Sequence, residues 1–408
     1  MEYALHVVNK HNNAEHASFR LTFAPTPLST SSIRVQSELL GVSSNNILYA
    51  RTGLALAWWD AFPVPGSAPA PYKDAAQWGV MPSWGFARVL ESTVPDIAAG
   101  SYLWGFWPTT PYPVDLKLAP AEPKGHWLEV SPHRKNVFNL NNRYVQAPGV
   151  DAWAASRRPV WECAYLMNRY TFAAPRSGVA PAHPLGMGLP WTEKDADLRQ
   201  AVVVSLSASS KTGRSFAWQL AHNRDVKSGG PLALLQATSA PSALSDLGSS
   251  LPVKTVSYDA LGQKDTISWI QGFKPARIVV INFGAPDSAV KTVASALDKM
   301  SLTVIGVGME GKVTPANEPQ TEQGGQLEVI QLNTTFIRDH AMQVEGHANY
   351  FKAVDAAWEE FVEKHSGDQS KLTWRYGVEG SEGMHGLWDE LCGQKLRPGQ
   401  DVVLKFKL

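Results

Sequence analysis

The sequence predicts an α/β chain of two domains, an antiparallel β-barrel or sandwich followed by a parallel sheet covered with helices on both faces. Three observations predict it. Turn residues interrupt short β-prone runs through the first 120 residues. From residue 198 onward, short apolar runs alternate with stretches of helical period. A last β-prone run, DVVLKFKL (401–408), comes late enough to return to the first domain.

The elements follow in order. IRVQSELLGV (33–42) alternates apolar and polar residues in part, as a half-buried strand does. ARVLEST (87–93) and SYLWGFW (101–107) are further strands, rich in β-formers. Between them lie VPGSAPAP (64–71), Pro95-Asp96 and Gly100-Ser101, with PTTPYP (108–113) after them. DAWAASRRPVWECAYLMNRYTF (151–172) has helical spacing, and Pro159 should bend or restart that helix. A Pro- and Gly-bearing loop (174–190) separates it from the second domain. Strands are then expected at 201–205, 232–240, 253–258, 276–285 and 302–308, with helices at 212–222 and 288–300. ARIVVINFGA (276–285) is a continuous apolar run, as a strand buried on both faces requires. HANYFKAVDAAWEEFVEKH (347–365) is the clearest amphipathic helix, with Phe351, Val354, Trp358, Phe361 and Val362 on one face. KLTWRYGV (371–378) and a short helix near 384–392 precede the final strand.

Composition excludes several classes. Of 408 residues, 44% are hydrophobic and 18% charged, which is globular composition with enough chain for a full core. Lys+Arg is 37 and Asp+Glu is 37, so no basic footprint points to nucleic acid or an anionic membrane surface. No run approaches the roughly 18–20 apolar residues of a membrane helix. The first residues, MEYALHVVNK, lack a basic segment followed by an apolar run, so no secretory leader is expected. Two unclustered cysteines, Cys163 and Cys392, suit a reducing compartment, and a cytoplasmic protein is the expectation. The reading leaves room for a homodimer.

The strongest chemical signal is VVVSLSASSKTGRSFAWQL (202–220). A strand entering a small-residue turn and then a helix N-terminus favours an anion, through backbone N–H groups and the helix dipole. Ser207, Ser209, Ser210, Lys211, Thr212 and Gly213 are the candidate phosphate contacts, Gly213 being the one glycine of the turn. The alternative is a tight strand–helix turn that binds nothing. An NAD site usually has Asp or Glu at the end of its second strand. LALLQATSA (232–240) has neither, and Thr238 and Ser239 there suit a 2′-phosphate, so NADP(H) is favoured over NAD. The nearest upstream basic residues are Arg224 and Lys227. S-x-x-x-x-S-K-T (205–212) imitates a nucleoside-triphosphate loop, but serine replaces both glycines and no acidic strand end is in place for magnesium.

Other pieces carry a resemblance. GVSSNNILYARTG (41–53) and WGFARVLESTVPDIAAGSYLWGF (84–106) resemble two segments of the N-terminal domain of zinc-free medium-chain dehydrogenases/reductases of the quinone-oxidoreductase kind. More closely, YARTG, WWDAFPVP (58–65), WGVMPSWGFARVLES (78–92), LWGFWP (103–108) and SASSKTG (207–213) resemble the DUF2855 proteins, an offshoot of that superfamily. The resemblance implies a GroES-like β-barrel domain (1–150 with 345–408), linking helices and a loop (151–194), and a Rossmann-like, doubly wound parallel-sheet domain (195–344). It implies an NADP(H)-dependent, zinc-independent reductase of an enone, quinone or ketone, with its site in the interdomain cleft. The eroded turn leaves open that the cofactor site has been lost. The same cleft could then serve a redox-neutral lyase, isomerase or hydrolase, or a non-catalytic binding protein.

Site residues follow from the resemblance. Tyr49, Asn45 and Asn46 fall where reductases line the nicotinamide and the substrate carbonyl; a tyrosine hydroxyl can donate to a developing enolate. Packing in the loop is the bland alternative for them. Trp58, Trp59 and Phe62 are candidate linings for a flat, apolar, aromatic or polyketide-like substrate. His340 and His347 fall on the substrate side, of which His340 is the candidate. No metal is expected: Phe86 stands where zinc members place a histidine, and there is no C-x-x-C or H-E-x-x-H spacing.

Overall fold

The computed structural model describes residues 1–224, 229–311, 313, 328–365, 367 and 371–407. The chain divides into two compact units. Unit 1 comprises Met1–Pro159, Gly311–Thr321 and Asp355–Leu408; unit 2 comprises Val160–Glu310 and Glu322–Val354. Among the described residues no helix is long and apolar enough to cross a membrane.

Unit 1 opens with strands β1 (Glu2–Asn9), β2 (His16–Thr22) and β3 (Ser32–Val42) and helix α1 (Ser44–Thr52). Then come β4 (Trp78–Gly79), β5 (Pro82–Ser92), β6 (Tyr102–Pro108), β7 (Val114–Ala121), β8 (His126–Glu129), the one-turn helix α2 (Asn139–Asn142) and β9 (Arg143–Ala147). Helix α3 (Ala152–Leu166) carries the chain from unit 1 into unit 2. The first half of β3 pairs with β7 and its whole length with β5, so β3-β5-β6-β9-β8-β7 closes on itself as a six-stranded barrel. Closure removes the free edges of these strands. Ile33, Val35, Leu40, Leu103, Phe106, Trp107 and Tyr144 fill it. The final strand returns here as expected: β17 (Val402–Lys405) pairs antiparallel with β3, and β16 (Thr373–Tyr376) in turn pairs with β17. Between them lies helix α10 (Met384–Cys392). A second, three-stranded sheet, β2-β1-β4, was not anticipated from the sequence.

Pro159 does not restart its helix; α3 runs through it as one element. Proline lacks the N–H that would bond the carbonyl four residues back. That carbonyl, Ala155 O, lies against Gly41 of β3, where any side chain would collide with it. The missing hydrogen bond and the missing side chain thus occur at one contact.

Unit 2 contains the one-turn helix α4 (Glu193–Ala196), β10 (Ala201–Leu206), helix α5 (Lys211–His222), β11 (Ala233–Ala237), β12 (Val253–Val256) and α6 (Lys264–Gly272). It continues with β13 (Arg277–Phe283), α7 (Asp287–Ala296), β14 (Leu302–Gly308), β15 (Val329–Gln331) and α8 (Thr334–Glu345). Helix α9 (His347–Lys364) begins in unit 2 and ends in unit 1. The sheet is wholly parallel, in the order β12-β11-β10-β13-β14-β15. Its apolar runs divide by period two, as pleating demands. Val203, Leu234, Val279 and Ile281 pack on one face with Phe216 and Leu220 of α5. Val202, Val204, Ile278 and Val280 pack on the other with Ile270 of α6 and Val293 of α7. Both faces are buried, which is why β13 carries the unbroken apolar run Ile278–Ile281.

Candidate functional site

By order of appearance the unit 2 sheet runs 3-2-1-4-5-6, the dinucleotide-binding order, with its switch point between β10 and β13. Chains leaving those two strands part to opposite sides of the sheet and open a crevice at the carboxyl ends. The Ser207–Gly213 turn stands there, between β10 and the N-terminus of α5. Gly213 sets its register. A Cβ on Gly213 would lie 2.9 Å from the Ala208 carbonyl oxygen and 3.0 Å from that of Ser207. This is the close helix–turn packing made by the third glycine of G-x-G-x-x-G, so Ala208 and Ser210 occupy the first two positions. Ser207 turns the chain with φ 57°, a left-handed conformation that usually falls to glycine.

The hydroxyls divide into two groups. Ser209 and Thr238 are buried and bond each other at 2.5 Å, and Thr238 Oγ1 also accepts the Ala240 N–H at 3.2 Å. These two tie the turn to the end of β11. The expectation that Thr238 faces a 2′-phosphate is corrected by this burial; Ser239, next in the chain, is exposed. Ser210 caps α5, its Oγ accepting the Gly213 N–H at 3.1 Å. Its own O–H proton remains a donor at a half-buried position. Thr212 is half-buried in the first helical turn, and Lys211 is buried.

Tyr258, just beyond β12, was not anticipated. Its phenol stands beside Ser207; burial pushes its pKa up, and the Ser207 hydroxyl and backbone oppose the push. No local motif marks this residue, because only the pairing of β12 beside β11 brings it to the turn. Arg224 is corrected as a phosphate candidate. Its guanidinium donates to the carbonyls of Asn168, Phe172 and Gly229, and burial lowers its pKa to about 10. Lys227 lies outside the described residues.

The unit 1 candidates lie on and after α1. Asn46 is 2% exposed; its Oδ1 accepts the Ser43 N–H at 3.0 Å and its Nδ2 donates to the Pro82 carbonyl at 3.0 Å. It forms half of a capping box with Ser43, so its amide is structural rather than an orienter of substrate. Asn46→Ala is expected to lower unfolding free energy by about 1–2 kcal/mol in urea titrations, with unchanged dinucleotide affinity. Asn45 is half-buried on the same helix, and Tyr49 Oη accepts the Trp84 indole N–H at 3.3 Å. The Tyr49 ring lies 5.4 Å from those of Trp58 and Phe106. Trp58, Trp59 and Phe62 are 7%, 2% and 3% exposed and belong to the barrel core, with Arg134 over the Phe62 ring. Their role is packing, a correction to the pocket expected of them. His340 is in α8 of unit 2, with Nε2 buried and without a hydrogen-bond partner among the described residues.

A family model described as a protein of unknown function, DUF2855, matches residues 40–397. The chain belongs to the DUF2855 family. No curated protein matches this DUF2855 chain. Solved structures do. A mutant form of enoyl thioester reductase from Candida tropicalis is 9% identical, with a TM-score of 0.51 over 99% of this chain and 100% of that one. The Etr1p/NADP/crotonyl-CoA complex is 10% identical, with a TM-score of 0.52 over 99% of this chain and 100% of its own. CurA in complex with NADPH from Vibrio vulnificus is 10% identical, with a TM-score of 0.52 over 99% of each chain. At such identities the likeness is one of fold: this DUF2855 protein has a GroES-like barrel and a Rossmann-like domain.

Proposed function

We propose that this DUF2855 protein is an NADP(H)-dependent reductase of an activated carbonyl compound: an enone, quinone or ketone. The observation that carries the reading is the Gly213 turn at the switch point of a 3-2-1-4-5-6 sheet. The residues present fit the pyrophosphate. The tight turn is kept, the N-terminus of a twelve-residue helix faces the crevice, and Ser210 keeps an O–H to donate. Ser239, exposed at the end of a second strand that lacks an acid, is assigned to the 2′-phosphate. Bound there, the cofactor would supply hydride. Tyr49, whose phenol oxygen accepts the Trp84 N–H, is assigned as the proton donor. Proteins of similar fold are described with NADP or NADPH bound, which makes NADPH the first ligand to test.

The test is a nicotinamide-fluorescence titration of the full chain with NADPH and NADH. Micromolar NADPH binding, at least about 10-fold tighter than NADH, is expected, a difference of ~1.4 kcal/mol. In Ser239→Glu the new carboxylate should repel the 2′-phosphate and abolish the preference. Absence of binding at millimolar NADPH overturns the reading and directs the search to redox-neutral reactions.

A further inference from the structure

Away from the dinucleotide turn, three histidines of unit 1 converge. His6 and Ser18 are directly opposed across the β1–β2 ladder, and His16 opposes Val8. Residues two apart on each strand share a face, so His6, His16 and Ser18 all lie on one side of the hairpin. Helix α10 packs on that side, and His385 and Asp389, four residues apart, lie on one face of it. One potential ligand atom from each of His6, His16 and His385 falls within 4.8 Å of the others. His6 is fully buried and the other two are half-buried.

We infer that His6, His16 and His385 bind one divalent transition-metal ion, zinc or cobalt in kind, which pins the N-terminal hairpin to α10. The hydrogen bonds assign the nitrogens. His16 Nε2 lies 3.0 Å from Asp389 Oδ1, and a carboxylate can only accept, so the His16 proton is on Nε2 and its Nδ1 presents a lone pair. His6 Nε2 lies 3.0 Å from that Nδ1. Two nitrogens on a tetrahedral zinc, each at about 2.0–2.1 Å, stand only a few tenths of an ångström farther apart. Ser18 Oγ is 3.1 Å from His385 Nδ1, which leaves His385 Nε2 for the ion. Two of the three rings therefore carry the outer partner that metal-bound imidazoles need: Asp389 on His16 and Ser18 on His385. Without metal, His6 Nε2 carries the proton donated to His16, and its Nδ1 is buried with no partner among the described residues. On binding, that proton moves to Nδ1 and Nε2 takes the ion, with no net change in charge on the ring. Three protein ligands leave a fourth position for water.

Imidazole nitrogens with one carboxylate hydrogen-bonded behind them suit zinc, cobalt, nickel or copper and not magnesium or calcium, which take oxygen. The sequence leads to no metal being expected, because no two of these ligands share a short metal-binding spacing. Two of them also precede residue 40, where the family match begins.

The experiment uses the full chain, purified without a histidine tag, stripped with EDTA and titrated with Co²⁺. One equivalent should bind and give the intense visible bands of tetrahedral cobalt, and one equivalent of Zn²⁺ should displace it. His385→Gln and His16→Gln should each weaken binding by at least about 100-fold, and Asp389→Asn by roughly 10–100-fold. His347→Gln should leave binding unchanged. Circular dichroism identifies any variant that fails to fold, and His385→Gln then decides. The inference is overturned if the folded wild type gives no tetrahedral spectrum at ~100 µM Co²⁺ or if binding survives in His385→Gln. It is equally overturned if the histidine variants lose stability while the wild type binds no metal, because the cluster is then only a hydrogen-bonded latch.

Discussion

Gly213→Val should weaken NADPH binding by at least about 100-fold, ~2.7 kcal/mol, while the chain remains folded. Even the Cβ of alanine would stand 2.9 Å from the Ala208 carbonyl oxygen and 3.0 Å from that of Ser207, both of them backbone atoms. Neither can rotate away as a side-chain end would, so α5 must lift from its turn. The two methyls of valine enlarge the displacement. Overpacking of this kind costs about 1–3 kcal/mol of stability, which a large domain tolerates. The anion site is less tolerant, because its donors are the N–H groups at that helix end and the Ser210 hydroxyl that caps it. Gly213→Ala should fall between valine and wild type. Gly272→Ala, at the exposed end of α6 with nothing within 4 Å of the new Cβ, should bind as wild type does. A titration in which Gly213→Val binds NADPH normally would remove the turn from the cofactor site.

Most of unit 2 could be read in advance because its signal is local. An apolar run such as Ile278–Ile281 alternates between two cores, and the small-residue turn after β10 follows its strand directly. What could not be read depends on partners far away in sequence. Asn46 looked chemical until the Pro82 carbonyl, 36 residues on, and the Ser43 N–H took up its amide. Pro159 looked like a break, but the carbonyl it orphans meets a glycine of β3. Thr238 looked like a phosphate contact and instead holds Ser209 across two parallel strands. Tyr258 and the histidine cluster carry no short motif at all. A tryptophan count has the same weakness, since Trp58 and Trp59 would suit a pocket or a core equally until their burial is known.

Arg157→Leu should destabilise unit 1 by about 3–5 kcal/mol. Asp401, just before β17, is held by three bonds from α3. Ser156 Oγ donates at 2.7 Å and Arg157 Nε at 2.6 Å, and Arg157 Nη2 bonds the second carboxylate oxygen. Both charged side chains are 8% exposed. The Arg157 guanidinium also lies 4.9 Å from the Trp153 ring centre. Removing the arginine leaves a buried carboxylate without its guanidinium, and the desolvation once offset by the pair becomes an uncompensated cost. The pair need not be net stabilising in itself, since a well-packed apolar replacement of both partners is often neutral or better. Arg157→Leu/Asp401→Leu should therefore recover most of the loss, provided the leucine introduced at position 401 packs against α3. Urea unfolding followed by tryptophan fluorescence measures wild type, single and double variant alike. A single variant that loses under about 1 kcal/mol, the range of an exposed ion pair, would mean that water reaches Asp401 and that the pair does little to hold β17.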